Sequence, residues 1–201
     1  MANDFIFAEE NDQEEVPDNT TEAGWKVLIV DDEREVHAVT RLALMDLVFE
    51  GKGLNFLSAY SRREAEQLIS EHDDIAIVLL DVVMDTDDAG LQVAKYIRET
   101  VGNRTSRIVL RTGQPGQAPE RSVVINYDIN DYKAKTELTA QKLFTCVMSA
   151  LRSYRDIIRV KEQLERVEHE LSFYQTWLLE HQPQVRQQVA DAYQRLTENN
   201  D

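Results

Sequence analysis

The sequence is short of cysteine and of long apolar segments, and both absences restrict where the protein can work. Cys146 is the single cysteine among 201 residues, so no internal disulfide can form, as is usual for proteins of a reducing compartment. No apolar run approaches the ~20 residues that span a bilayer as a helix. Residues 1–25 contain no Lys or Arg and therefore lack the basic start of a secretion signal. We therefore expect a cytoplasmic protein that does not cross a membrane.

Positive charge is also scarce along the chain. There are 22 Lys and Arg against 37 Asp and Glu, which gives a net charge of −15. Residues 1–25 account for −8 of this charge, and their polar, acidic composition predicts a disordered leader. Residues 137–201 carry 8 basic and 10 acidic side chains, a net of −2, without a basic patch. Nucleic acid, itself a polyanion, is therefore not expected as a partner.

Short apolar runs alternate with amphipathic helical patterns over residues 26–150. The strongest runs are residues 26–30, 75–80 and 108–110, which have the length and the branched side chains of buried strands. Nearly continuous apolar strands that alternate with helices indicate a parallel sheet covered by helices on both faces. Ligands of such sheets bind beyond the carboxyl ends of the strands, so the residues at those ends are the candidates for a site.

The residues at these strand ends include several carboxylates. Asp31 and Asp32 follow the first strand and Asp81 ends the third, and three carboxylates at one edge repel one another unless a cation binds between them. Hard oxygen ligands of this kind favour Mg²⁺, which leaves room for a phosphoryl group. Thr112 ends the fourth strand and Lys135 follows the fifth, and both side chains can contact such a group. Because a carboxylate can attack phosphorus, the set predicts metal-assisted phosphoryl transfer to Asp81.

Four short motifs together resemble the receiver domain of bacterial two-component response regulators. They are residues 27–32 (VLIVDD), 79–84 (LLDVVM), 110–113 (LRTG) and 132–135 (YKAK), in an order and at a spacing similar to that family. The resemblance covers residues 26–150. It implies an α/β fold with a doubly wound, five-stranded parallel sheet of the flavodoxin-like type, with strand order 2-1-3-4-5.

The resemblance also implies a role for each residue at the strand ends. The phosphoryl group would come from a sensor histidine kinase or a phosphotransfer protein, and Mg²⁺ would be the cofactor. The implied site consists of Asp81 as phosphoacceptor, Asp32, Asp81 and the main-chain carbonyl of Val83 as Mg²⁺ ligands, Asp31 in the outer metal shell, Thr112 and Lys135 as contacts of the phosphoryl group, and Tyr132 as a rotating aromatic switch.

Two positions depart from the family pattern, and two stretches resemble one of its subgroups. Thr136 stands where the family usually has a proline joined by a cis bond, and Met84-Asp85 stands where Met-Pro is usual after the phosphoacceptor. Residues 111–120 (RTGQPGQAPE) and 127–139 (YDINDYKAKTELT) resemble receivers that are often linked to cyclic-di-GMP turnover modules. The chain contains neither a GGDEF run nor a paired HD and GYP motif.

An alternative from another class is a Mg²⁺-dependent phosphatase of similar fold with an aspartate nucleophile. Such enzymes usually need a second acidic residue two positions after the nucleophile, as acid and base. Val83 occupies that position here and is apolar. We therefore expect a receiver that is not an enzyme, beyond catalysing the phosphorylation and dephosphorylation of its own Asp81.

A different pattern follows residue 150. Neither Gly nor Pro interrupts residues 137–181, and a heptad repeat there predicts a coiled coil and a parallel homodimer through residues 157–178; the alternative is an amphipathic helix that folds back on its own domain. The chain would then consist of a leader (1–25), a receiver domain (26–150) and a long C-terminal helical, coiled-coil extension (151–201). The first heptad position is taken by Ile157, Leu164, Leu171 and Leu178, and the fourth by Val160, Val167, Tyr174 and His181.

Overall fold

A parallel sheet of five strands forms the centre of the protein. The computed structural model describes residues 24–113, 120–137 and 139–181, together with residues 184, 187, 188 and 191; residues 1–23 of the predicted leader lie outside this part. The strands pair in parallel in the order β2-β1-β3-β4-β5, which confirms the predicted fold and strand order. They are β1 (Trp25–Val30), β2 (Leu54–Ala59), β3 (Ile75–Asp81), β4 (Arg107–Thr112) and β5 (Asp131–Ala134).

Helices cover both faces of the sheet. Among the described residues, none of them combines the length and the apolar character needed to cross a membrane. A π-helical turn (Tyr96–Thr100) extends the third helix, and a 3-10 turn (Lys135–Glu137) follows β5. The helices are α1 (Arg34–Leu44), α2 (Arg62–Glu71), α3 (Ala89–Lys95), α4 (Glu120–Asn126) and α5 (Ala140–His181).

The apolar runs of the sequence are explained by burial on both faces of the sheet. In β1, Val27 and Ile29 lie in a core with side chains of α1 and α5, while Leu28 and Val30 lie in a second core with side chains of α2 and α3. All four side chains are completely buried. A strand that is buried on both faces needs apolar residues at successive positions, so it reads as a continuous apolar run.

The fifth strand begins three residues later than the sequence suggests. The sequence predicts a short, polar strand over residues 128–132, whereas β5 is Asp131–Ala134. Asp128 has a φ of +47°, and the Ile129 N–H donates to the carbonyl oxygen of Val124 at 3.1 Å. These residues therefore complete the turn that closes α4, and the strand starts after them. The peptide bond before Thr136 is trans, as are all peptide bonds of the described residues.

The last helix packs on the sheet only over its first half. Leu143, Val147, Leu151 and Tyr154 are buried. The predicted domain boundary at residue 150 falls inside this continuous helix and stays a prediction.

Immediately after its buried part, α5 is anchored to the loop between α1 and β2. The Glu50 carboxylate of that loop accepts from Arg155 Nη1 at 2.7 Å and from Arg159 Nη2 at 3.1 and 3.2 Å.

The second half of α5 leaves its apolar side chains in water. The residues concerned are more than half exposed and do not pack on the described part of their own domain, which counts against the fold-back alternative. They are Val160, Leu164, Val167, Leu171 and Tyr174.

Candidate functional site

Three aspartates meet at the carboxyl edge of the sheet, as the sequence predicts. Asp31 directly follows β1, Asp32 comes next, and Asp81 ends β3. One carboxylate oxygen of each lies within 4.8 Å of the other two, which is a spacing that could hold a metal ion. Asp31 and Asp81 are 0% and 4% exposed, whereas Asp32 is exposed to solvent. Two of the three charges are thus held in a poorly solvated place, where repulsion between them is strong.

Lys135 joins the two buried carboxylates. Its Nζ lies 2.8 Å from Asp81 Oδ2, 3.1 Å from Asp31 Oδ2 and 3.2 Å from Glu33 Oε1. Burial by itself lowers the pKa of Lys135, but hydrogen bonds and charge attraction from Asp81 and Asp31 outweigh it, so the pKa lies above its ordinary value. The ammonium is therefore firmly charged at neutral pH and offsets the negative charge of the two buried carboxylates.

Asp81 has one oxygen that is left without a partner. Oδ1 is buried and makes no hydrogen bond within the described part of the chain. Burial raises the pKa of Asp81, although the hydrogen bond and the charge of Lys135 act in the opposite direction. A buried acceptor without a donor costs about 1–3 kcal/mol, so Oδ1 is a ready ligand for a cation. The donor set of three carboxylates with one orphaned oxygen fits Mg²⁺, which is bound through oxygen.

The remaining predicted site residues lie around this edge. Thr112 is buried at the end of β4, and its neighbour Arg111 pairs in register with Asp81. Val83 is half-buried two residues beyond Asp81, and Tyr132 is a half-buried β5 side chain that packs against the core on the side of α2 and α3. The structure thus brings Asp31, Asp32, Asp81 and Lys135 into direct proximity.

Arg111 is a site residue that sequence reasoning missed. Its side chain is 3% exposed, its Nη2 lies 3.5 Å from Asp31 Oδ2, and its Nη1 donates to Thr40 Oγ1 at 3.0 Å. The available signal was an arginine in an apolar strand, one residue before Thr112. That signal does not identify a partner 80 residues away in sequence.

His37 is a second residue of the site that the sequence did not reveal. Its Nε2 donates to the carbonyl oxygen of Asp31 at 2.8 Å, and its Nδ1 lies 2.9 Å from Ser58 Oγ. Burial lowers the pKa of His37, which is consistent with a neutral ring that links the end of β1 to β2. These two contacts of His37 therefore hold the main chain at Asp31 in place.

Gly90 permits the start of α3 to approach the backbone of Asp81. A Cβ at position 90 would overlap the Asp81 carbonyl oxygen and would lie 2.8 Å from its carbon and 2.9 Å from Val82 Cα. These neighbours are backbone atoms of a buried strand and cannot rotate away. Gly90→Ala is therefore expected to lower the free energy of unfolding by about 3 kcal/mol. Urea denaturation measures the loss.

Gly53→Ala is the matched control for this change. No atom lies within 4 Å of a Cβ built at position 53, so its unfolding midpoint should stay close to that of the unmodified protein. Equal midpoints for the two variants would show that α3 has room to move.

Comparison with known proteins gives a family and a relative of high identity. Residues 27–147 match the family model described as "Response regulator receiver domain". The relative, named 3'3'-cGAMP-specific phosphodiesterase 2 and found in Vibrio cholerae serotype O1, is 50% identical over 145 residues. These residues are 72% of this chain but 28% of the relative, so the chain spans less than a third of that protein.

Solved structures give the same fold at low sequence identity. A response regulator receiver domain protein from Clostridium thermocellum is 21% identical, with a TM-score of 0.55 over 66% of this chain and 98% of that one. The signal receiver domain of an HD domain-containing protein from Pseudomonas fluorescens Pf-5 is 19% identical, with a TM-score of 0.55 over 66% of this chain and 98% of that one. At these identities the likeness concerns the fold alone.

The prediction that the protein is not an enzyme is wrong, because the 50%-identical relative is a phosphodiesterase. The prediction rested on the apolar Val83. This residue argues against one particular mechanism, in which a phosphatase uses Asp81 as nucleophile and an acidic residue two positions later. It carried no information about other parts of a longer protein. The subgroup resemblance seen in residues 111–120 and 127–139 agrees with this relative, which acts on a cyclic dinucleotide according to its name.

Proposed function

Because the chain belongs to the response regulator receiver domain family, we propose that it accepts a phosphoryl group on Asp81 in two-component signal transduction. The donor is the phosphohistidine of a sensor histidine kinase or of a phosphotransfer protein. The observation that carries this proposal is the buried, unpartnered Oδ1 of Asp81, set among two further carboxylates and beside the ammonium of Lys135.

Mg²⁺ is the proposed cofactor of this site. Asp32, Asp81 and the main-chain carbonyl of Val83 would hold it, with Asp31 in the outer shell. When bound, the ion supplies positive charge that offsets the carboxylates and attracts the phosphoryl oxygens. The exposure of Asp32 supports this assignment, because an ion that keeps several waters needs a ligand at the open side of the site.

Asp81, Lys135 and Thr112 then have distinct roles in the phosphoryl transfer. A carboxylate oxygen of Asp81 forms a bond to phosphorus while the bond from phosphorus to the donor histidine nitrogen breaks, and the bonding electron pair stays on that nitrogen. Lys135, now 2.8 Å from Asp81 Oδ2, moves to a phosphoryl oxygen and neutralises it. Thr112 at the end of β4 donates its hydroxyl hydrogen to another phosphoryl oxygen.

The output is proposed to pass through Tyr132 and α5. Tyr132 lies three residues before Lys135 on the same strand and turn, and this short stretch of main chain is the proposed connection between the two side chains. The apolar stripe of α5 from Ile157 to Leu178, which is exposed from Val160 to Tyr174, is the proposed contact of a parallel homodimer. The whole protein, by analogy with the relative from Vibrio cholerae, is proposed to hydrolyse a cyclic dinucleotide under control of this receiver. The cytoplasmic location stays a prediction.

The phosphoacceptor proposal is tested by labelling the unmodified protein. With Mg²⁺ and acetyl phosphate, intact-mass spectrometry should show the gain of one phosphoryl group per chain. Peptide mapping should locate it on residues 75–88, and hydroxylamine should remove it, as expected for an acyl phosphate. Labelling of His169 or His181 instead, or no labelling at all, would contradict the proposal.

Magnesium should stabilise the folded protein because it binds the native site and not the unfolded chain. At a hundredfold excess over the dissociation constant, the expected stabilisation is about 2.7 kcal/mol, or about 5–10 °C in melting temperature for a chain of this size. Asp32→Ala should remove this Mg²⁺-dependent shift. Differential scanning calorimetry with and without the ion measures it.

Asp87→Ala is the control for the metal prediction, because Asp87 is an exposed acid of the loop that follows β3. This variant should keep the full shift. A full Mg²⁺ response in Asp32→Ala would mean that the ion binds elsewhere.

A further inference from the structure

Both carboxylate oxygens of Asp31 have donors in this structure. Its Oδ1 accepts the backbone N–H of Glu33 at 3.1 Å, and its Oδ2 faces both Lys135 Nζ at 3.1 Å and Arg111 Nη2 at 3.5 Å. The residue is completely buried. Burying a carboxylate away from water is costly unless cations lie beside it.

The two cations differ in how freely they can leave Asp31. Lys135 is partly exposed, with 21% of its side-chain surface accessible, and it already has Asp81 as a second partner. Arg111 is buried and hydrogen-bonded to Thr40 of α1. Its backbone is also fixed, because its carbonyl oxygen accepts the N–H of Val82 at 3.1 Å. Arginine moreover keeps its charge under all ordinary conditions.

We propose that Arg111 is the permanent counter-ion of Asp31, and that its buried guanidinium weakens the binding of a divalent cation at the neighbouring carboxylates. The inference rests on the proposed function, in which Lys135 leaves the carboxylates for a phosphoryl group. Asp31 would then keep Arg111 as its partner. Arg111 is thus a positioning residue that acts through Asp31.

The sign of the effect on metal binding follows from charge. The three aspartates and Glu33 carry four negative charges, and Lys135 and Arg111 carry two positive ones. Removing the guanidinium leaves one positive charge and makes the site more negative. A unit charge several ångströms from a divalent ion changes its affinity by about tenfold at the high effective dielectric of a half-open site.

Isothermal titration with Mg²⁺ tests this inference on Arg111→Met, which keeps most of the side-chain volume and removes the charge. The dissociation constant for Mg²⁺ should fall about tenfold, and the melting temperature without metal should also fall. Arg111→Lys keeps the charge and should bind Mg²⁺ with nearly the affinity of the unmodified protein. An unchanged or weaker affinity of folded Arg111→Met would overturn the inference.

Arg98→Met is the matched control, because Arg98 is also a buried arginine but pairs with Asp128 and not with Asp31, Asp32 or Asp81. Its guanidinium donates to the carbonyl oxygens of Asn103, Ser106 and Asp128. The change should lower the melting temperature and leave Mg²⁺ affinity unaltered. A merely structural role for Arg111 predicts the behaviour of this control and no gain in affinity.

A double-mutant cycle tests the ion pair without metal. Asp31→Asn leaves Arg111 buried without its carboxylate, so adding Arg111→Met to Asp31→Asn should raise the melting temperature. A double variant less stable than Asp31→Asn alone would overturn the inference, and this test remains available if Arg111→Met does not fold. Absence of Mg²⁺ binding in the unmodified protein would contradict the proposed function instead, since the cycle does not depend on the ion.

Discussion

With Mg²⁺ and acetyl phosphate, Asp81→Asn is expected to take up no phosphoryl group, whereas the unmodified protein takes up one per chain. The reason is chemical, because an amide oxygen is far less nucleophilic than a carboxylate and its attack would not give a stable acyl phosphate. The substitution keeps the shape of the side chain, and the Lys135 ammonium keeps Asp31 and Glu33 as partners. Intact-mass spectrometry reports the loss directly.

Asp85→Asn serves as the control for this change. Asp85 is an exposed residue of the loop after β3, and it should be dispensable for the transfer. Circular dichroism of both variants establishes that they fold. Undiminished labelling of folded Asp81→Asn would show that another residue receives the phosphoryl group, and the assignment of the site would then be wrong.

Leu164→Glu combined with Leu171→Glu is expected to convert the proposed dimer into a monomer. The two leucines are 57% and 55% exposed in the single chain, so pairing would remove most of their apolar surface from water. Complete burial of an exposed leucine contributes about 1.5–3 kcal/mol. Because these leucines are only about half exposed before pairing, the four leucines of a dimer would contribute about 3–7 kcal/mol. The introduced glutamates would also face like charges across the seam. Sedimentation equilibrium at tens of micromolar measures the mass.

The control places the same charges on the outer side of the same helix. Ser172→Glu with Thr176→Glu changes two exposed residues that occupy other heptad positions, and this variant should remain a dimer. The receiver of the leucine variant should still accept a phosphoryl group on Asp81. An unmodified protein that sediments as a monomer, phosphorylated or not, would refute the dimer and its part in the output.

The sequence reveals those parts of the fold that burial forces into a pattern. β3 is buried at every position, so it appears as an unbroken apolar run that ends in Asp81. β5 is short and only Ala134 is buried in it, so no such run marks it. Its position depends on the backbone of Asp128, where a positive φ closes the preceding turn, and a local sequence pattern does not encode that conformation.

The same distinction separates the predicted from the missed residues of the site. Asp31, Asp32 and Asp81 follow apolar strands, and the rule that parallel strand ends share an edge was enough to bring them together. Arg111 and His37 were missed because their partners are set by tertiary packing. His37 reaches across to Ser58 and Arg111 to Thr40, and neither spacing has a periodicity that a single sequence could reveal.

The ion pairs of Glu50 attach α5 to the loop between α1 and β2 near the middle of the helix. Arg155 and Arg159 form ion pairs with Glu50 at the amino-terminal edge of the sheet. The helix begins at the opposite edge, five residues after Lys135. From Arg159 to His181 the helix extends about 33 Å. A tilt of about 5° around the Glu50 contacts would displace its end by about 3 Å. A tilt of this size, caused by a small shift beside the carboxylates, would therefore displace the far end of the helix by about the length of a hydrogen bond.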